Sequence, residues 1–253
     1  MDRDPPVLPA AYRLVHLPEV GNLRDHAMEA ASGGAEEGTL FLADEVRSPP
    51  AGEGGAGAPD TGPGNLHAAL VLEPEFPPDR DHEILFVSLV SLCSAIAAHV
   101  SPLTALRFGW PNEIRIASYR VASVWLDRGE SPARRWLTAT LAVNVASAPE
   151  SGEPEQMSLH QAEGNDSITP QDLFESWARE FVSWINLWDD RGFGHVLATW
   201  NARADVADCQ VSIRHAGGTI QGIGAGVDGE GRLIVRREDG TETKLSSRLF
   251  LGW

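Results

Sequence analysis

The apolar residues fall into segments with two periods. Tyr12 to Leu17 and Gly38 to Ala43 read as strands, and Asn22 to Ala31 reads as a short helix ended by Ser32-Gly33-Gly34. Asn65 to Glu73 is mostly apolar, as expected of a strand covered on both faces. A long helix is predicted from Asp81 to Val100, with the apolar stretch Ile84 to Val100 interrupted by Ser88, Ser91, Ser94 and His99. At about 17 residues that stretch fits a buried helix better than a membrane span. Leu106-Arg107-Phe108 and a turn at Trp110-Pro111-Asn112 then lead into two alternating stretches, Tyr119 to Leu126 and Trp136 to Val145, expected to be antiparallel neighbours. Thr169-Pro170-Gln171-Asp172 opens a helix with an N-cap and a proline at its first position. Leu173, Trp177, Phe181, Trp184, Ile185 and Trp188 recur on it at helical spacing, the pattern of a core-facing stripe. A further helix is expected over Phe193 to Trp200. Beyond a change of composition at Ala202 to Asp208, short alternating strands are separated by the hairpin signals Asp228-Gly229 and Asp239-Gly240.

Two segments carry neither period. Residues 48–64 hold six glycines, four prolines and two acids, with no aliphatic larger than alanine, and predict a long polar loop. Ser147 to Asn165 reads as a second, acidic, helix-poor linker. The whole predicts an α+β domain over residues 1–202 and a small barrel-like unit over 203–253.

Composition narrows the chemistry. Among 253 residues, 20 Lys+Arg face 36 Asp+Glu, a net charge of −16 that excludes nucleic acid as a natural partner. Of the 20 cations, 19 are arginine and one is lysine, Lys244, so chemistry that requires a lysine has one candidate. Two cysteines are too few for a disulfide framework, and Cys93 inside Val90-Ser91-Leu92-Cys93-Ser94-Ala95-Ile96 reads as a small buried hydrophobe. The start, Met1-Asp2-Arg3-Asp4-Pro5-Pro6, has no secretory pattern, which predicts the cytoplasm. Eight histidines show no metal-ligand spacing, and Asp81-His82-Glu83 reads as a solvated helix start. Gly224-x-Gly226-x-x-Gly229 precedes a strand, not the helix that a phosphate loop needs, and no Gly-x-Ser-x-Gly elbow is present.

Six ordered segments resemble the biotin protein ligase and lipoate ligase superfamily. Phe108-Gly109-Trp110-Pro111-Asn112-Glu113-Ile114 is similar to its Lys-Trp-Pro-Asn-Asp-hydrophobic signature. Glu19-Val20-Gly21-Asn22 stands where that family has Asp-Ser-Thr-Asn, and Gly64-Asn65-Leu66 where a strand follows its Gly-Arg-rich nucleotide loop. Tyr119-Arg120-Val121-Ala122-Ser123-Val124 resembles Arg-Lys-Leu-Ala-Gly-Ile, and Leu141-Ala142-Val143-Asn144-Val145 resembles Gly-x-Gly-x-Asn-hydrophobic. Gly226 to Leu233 looks like part of the SH3-like C-terminal domain of bacterial biotin ligases. The resemblance implies a class II synthetase-like domain with a mixed sheet, ATP with Mg²⁺ and biotin or a biotin- or lipoate-like acid as ligands, a carrier-type protein as partner, and homodimerisation as an option. It places Asn22, Arg47, Asn65, Trp110, Asn112 and Asn144 along the ligand groove, with His67 at its mouth. The chain starts at the first strand of the catalytic-type domain, so no DNA-binding winged helix and no membrane role are expected.

The departures from that pattern bear on activity. The family forms an acyl-adenylate from ATP and an acid, then passes the acyl group to a carrier lysine, and this needs cations where phosphate charge develops. Here the lysine before Trp-Pro-Asn is Gly109, and the loop over 48–64 keeps Gly52, Gly54, Gly55 and Gly57 but has Glu53 and alanines in place of arginines. The second lysine is Arg120. Val20-Gly21 and Val46-Arg47 replace groups that would hydrogen-bond the acid. The leading expectation is therefore a catalytically impaired homologue whose groove binds a small acid, a nucleotide or a partner protein. The alternative is an active acyl-protein ligase rebuilt on Arg120, Arg107 or Arg47.

Overall fold

The computed structural model describes residues 5–47, 63–149, 155–215 and 218–250. The expected loop over 48–64, with its glycines and Glu53, lies almost wholly outside the described residues. The main body contains strands β1 (Arg13–Leu17), β2 (Thr39–Ala43), β3 (Leu66–Leu72), β4 (Leu106–Gly109), β5 (Glu113–Ile116), β6 (Tyr119–Ser131) and β7 (Arg134–Val143). They form one sheet in the order β1-β2-β3-β7-β6-β5-β4. The sheet is mixed, because β1 and β2 are parallel and all other neighbours antiparallel.

Helix α1 (Leu23–Ser32) starts at Asn22, whose side chain accepts from the Arg24 and Asp25 backbone N–H groups. Its Leu23, Ala27 and Ala31 pack on Phe41, Ala69, Val71 and Trp136 on one face of the sheet. Helix α2 (Asp81–Ala97) is apolar nearly all round, so it sits buried between the opposite face and helices α4 (Pro170–Arg191) and α5 (Phe193–Asn201). The α4 stripe is confirmed as core at Leu173, Trp177, Phe181 and Trp188, with Trp184 and Ile185 at its margin. Thr169 caps α4 through the Asp172 backbone N–H, as its sequence predicts.

Four expectations are corrected. The residues after the Trp-Pro-Asn turn form a strand of their own, β5. The two alternating stretches continue past Leu126 into a longer hairpin, turning between Ser131 and Arg134. The linker over 147–165 contains a short helix, α3 (Leu159–Glu163), nucleated by a Ser158–Gln161 capping box ahead of the helix formers Leu159, Gln161, Ala162 and Glu163. The Asp81-His82-Glu83 helix start is buried, not solvated. Asp81 accepts from Arg135, and Glu83 accepts from Arg80 and from the Trp188 indole, so each acid has a donor that allows its burial. Burial still pushes the Asp81 carboxyl above the usual aspartate range, against the opposing pull of Arg135.

Strands β8 (Ala207–His215), β9 (Gly218–Val227), β10 (Leu233–Arg236) and β11 (Glu242–Leu245) form a separate antiparallel sheet in the order β11-β10-β9-β8. The two Asp-Gly pairs lie in its turns, as predicted. Leu233, Val235 and Leu245 join the main core, and Phe108 exchanges backbone hydrogen bonds with Arg203 and Asp205 at the β4 edge. The Trp110 indole donates to the Gly231 carbonyl at 3.2 Å. Gly231 has φ +70°, and a Cβ there would lie 2.6 Å from the Phe86 ring, so the turn approaches α2 as closely as glycine permits.

Asp228 organises that turn. Burial alone would raise its pKa, but hydrogen bonds from the Arg232 side chain and backbone, the Glu230 backbone and Lys244 hold it down to about 2. A depressed carboxylate stabilises the fold above its unfolded pKa and loses that contribution as pH falls toward the folded value. Asp228→Asn should therefore cost about 1 kcal/mol at pH 7 after solvent screening. Melting curves of both proteins should converge as pH is lowered from 4 to 2; a gap that persists unchanged at pH 2 would show that the side chain acts through packing alone.

Candidate functional site

The strand register sets a row of mostly small residues across the α1 face of the sheet, the candidate floor of the groove that the resemblance implies. Ala43 pairs with His67, His67 with Ala142, Ala142 with Ser123, Ser123 with Glu113 and Glu113 with Gly109. This row crosses β2, β3, β7, β6, β5 and β4, and four of its six positions are alanine, serine or glycine. Small side chains keep the floor low. The next row holds Phe41, Ala69, Thr140 and Trp125. Helix α1 covers the rows further on, and Arg24 ties it to β6 through a two-pronged ion pair with Asp127. Burial raises the Asp127 pKa while Arg24 opposes it.

Three buried oxygens on this face of β7 and just beyond it have no hydrogen-bond partner among the described residues: Oγ1 of Thr138, in the row under α1, and Oγ1 of Thr140 and Oδ1 of Asn144 beside the floor. Buried polar atoms are normally satisfied, so orphans beside a low floor mark where a polar ligand or water would bind. The Asn144 Nδ2 group donates to Gln156 at 3.2 Å, which fixes the amide's orientation.

At the β5 end of the floor lies a charged triad. Glu113 Oε2 accepts from Arg115 Nε at 2.9 Å and Nη2 at 2.6 Å, while Oε1 accepts from Arg120 Nη1 at 3.4 Å. Arg120 is 1% exposed, whereas the Arg115 side chain keeps 25% of its surface. A bulge explains why Arg120 meets Glu113: Ile114 pairs with Ala122 but Arg115 pairs with Arg120, so Val121 is an extra residue that re-aims the chain. Burial pulls the Arg120 pKa down, and Glu113 pulls it back. Both Glu113 oxygens accept from guanidiniums, and no group of three metal-ligating side chains occurs among the described residues. The described residues therefore form no protein-held Mg²⁺ site.

The structure gives the other sequence-named residues distinct places. Asn22 is the α1 cap. Asn65 Oδ1 accepts from the backbone N–H groups of Val145, Ala146 and Ser147, tying down the chain after β7. Asn112 Nδ2 donates to the Val124 carbonyl and pins the turn to β6. Trp110 faces the second sheet, and its peptide bond to Pro111 is cis. His67 lies buried in the floor. Arg47 is exposed and ion-paired with Glu19, and Arg107 is exposed on β4. Gly109 and Arg120 meet around Glu113. The sequence reading missed Arg115 and Thr140. Pairing β4 with β5 would have exposed the first, since period two puts positions 113 and 115 on the face that carries Gly109.

Residues 8–202 match the sequence model of the biotin/lipoate A/B protein ligase family. A biotin acetyl-CoA-carboxylase ligase from Paracoccus denitrificans is 27% identical over 194 residues, 75% of this chain and 81% of that protein. A bifunctional ligase/repressor from Bacillus subtilis is 22% identical over 245 residues, 94% of this chain and 74% of that protein. Among solved structures, a biotin protein ligase-like protein of unknown function from Silicibacter superposes with a TM-score of 0.78 at 23% identity, covering 98% of this chain and all of that one (100%). A biotin protein ligase from Aquifex aeolicus, in complex with biotin and ATP, superposes with a TM-score of 0.74 at 18% identity, covering 92% and 96%. These likenesses establish the fold.

Proposed function

The chain belongs to the biotin/lipoate A/B protein ligase family, and from that premise we propose that it binds a small carboxylic acid in the sheet groove with acyl-adenylate chemistry impaired. One observation carries this reading. Of the two positions where the resemblance puts lysines, 109 has no side chain, and 120 holds an arginine that is 1% exposed and turned onto Glu113. A guanidinium locked against a carboxylate out of solvent is poorly placed to meet charge developing on a phosphate. The binding half of the function has independent support in the low floor and in the orphaned oxygens of Thr140 and Asn144. A biotin- or lipoate-like acid fits this chemistry, with a carrier-type protein as the macromolecular partner. The second sheet would serve as an SH3-like C-terminal unit.

A second reading, an active ATP-dependent acyl-protein ligase in which arginine replaces lysine, is favoured by the 27% identity to the Paracoccus ligase and by the retained Trp110-Pro111-Asn112 turn. Mass spectrometry of acyl-adenylate, formed from ATP, Mg²⁺ and biotin, lipoate or octanoate beside a lysine-containing ligase, separates the two. We expect acid binding without adenylate; adenylate accumulating as in the control would establish the second.

A further inference from the structure

We propose that Arg115 is the anion-contacting residue of the groove, seated in the space a side chain at position 109 would occupy and held there by Glu113. The inference rests on the acid-binding reading and names the group that does the binding.

The geometry is specific. A Cβ built on Gly109 would lie 2.6 Å from Arg115 Nε, 3.0 Å from its Cζ and 3.0 Å from Glu113 Oε2. The absence of a side chain at 109 is thus what lets the guanidinium rest over the end of the floor. Gly109 and Arg115 are paired features, and restoring a side chain at 109 would evict the arginine. Glu113 holds Arg115 through Nε and one Nη, which leaves three of the five guanidinium N–H groups for a ligand. Two such N–H groups match the two oxygens of a carboxylate.

Charge points the same way. Two guanidiniums around one carboxylate leave a net positive charge, and only Arg115 of the pair reaches solvent. Arg120 is then a positioning residue: it shares Glu113 and keeps that carboxylate turned toward Arg115. Exposed Arg107, opposite Arg115 on β4, adds a second positive charge at this end. The ligand group is an oxyanion, and on the acid-binding reading it is the carboxylate of the acid.

The test is titration calorimetry with biotin, its neutral amide, lipoate and ATP on the full chain, with thermal melts run on every variant. Wild type should prefer biotin to its amide by tenfold or more, about the difference a charge-assisted pair supplies. Arg115→Ala should abolish the preference, and Arg115→Lys should keep part of it. Gly109→Ala, which leaves Arg115 present but takes its seat, should also reduce it. If Arg115→Ala does not fold, Arg115→Lys and Gly109→Ala carry the test. An undiminished preference in folded Arg115 and Gly109 variants would overturn the inference and leave the acid-binding reading intact. A loss confined to ATP would overturn the carboxylate assignment. Wild type binding none of the four probes would overturn the groove reading, and the role of Arg115 with it.

Discussion

Glu113→Ala should destabilise the protein by about 3–5 kcal/mol, the cost of removing one partner from a buried ion pair. At about 2–4 °C per kcal/mol for a chain of this size, the melting temperature should fall by about 6–20 °C. The reason is geometric. Arg120 is 1% exposed and cannot trade Glu113 for bulk water, and without the acid two guanidiniums would face each other across the bulge. Arg115→Ala in the Glu113→Ala background should recover part of the loss, because it removes one of the like charges. The exposed pair Arg13–Glu36, with side chains 68% and 71% exposed, is the control: Glu36→Ala should shift stability by no more than about 1 kcal/mol. Calorimetric melts of wild type and the three variants at pH 7 measure all of this. A Glu113→Ala loss as small as that of Glu36→Ala would show that solvent screens the triad.

Local signals carried most of the fold. Asn22 and Thr169 cap the helices that their sequences announce, because an N-cap is a contact between residues two or three apart. The α4 stripe and the β6–β7 alternation are likewise periodic over enough residues to be read. β5 is four residues long, too short for a period, and α3 rests on one capping box. The burial of Asp81 and Glu83 was not legible, because their donors Arg135 and Trp188 lie 54 and 105 residues away.

The site divides along the same line. The Trp-Pro-Asn segment, Asn65 and Asn144 are visible as residues, yet the work the structure shows for them is structural. Asn65 and Asn112 spend amide groups on backbone atoms of other segments. Gly109 reads in the sequence as a deletion of charge. In the fold it is a seat, because antiparallel pairing and a bulge bring two arginines to the acid beside it. Residue-by-residue matching compares like positions and misses a cation that arrives from position 115.

That relocated cation sharpens the expectation for adenylate formation. A preorganised donor at a developing charge is worth about 3–4 kcal/mol, or 10²–10³ in rate. The arrangement here lacks a lysine at 109 and holds Arg120 under Glu113, and Glu53 stands in the segment where the family places arginines. Arg115 can bind a ground-state carboxylate, but an interaction equally strong in ground and transition states tightens binding without raising turnover. Two missing donors together should lower adenylate formation by 10⁴-fold or more relative to a lysine-containing ligase at saturating acid and ATP. Gly109→Lys should not restore it, because the new side chain would collide with Arg115. Gly109→Lys combined with Arg115→Ala clears the seat and is the variant in which adenylate should reappear. Single-turnover mass spectrometry of the three proteins decides the matter. Wild-type turnover within about a hundredfold of the control would overturn the impaired reading and establish the active ligase.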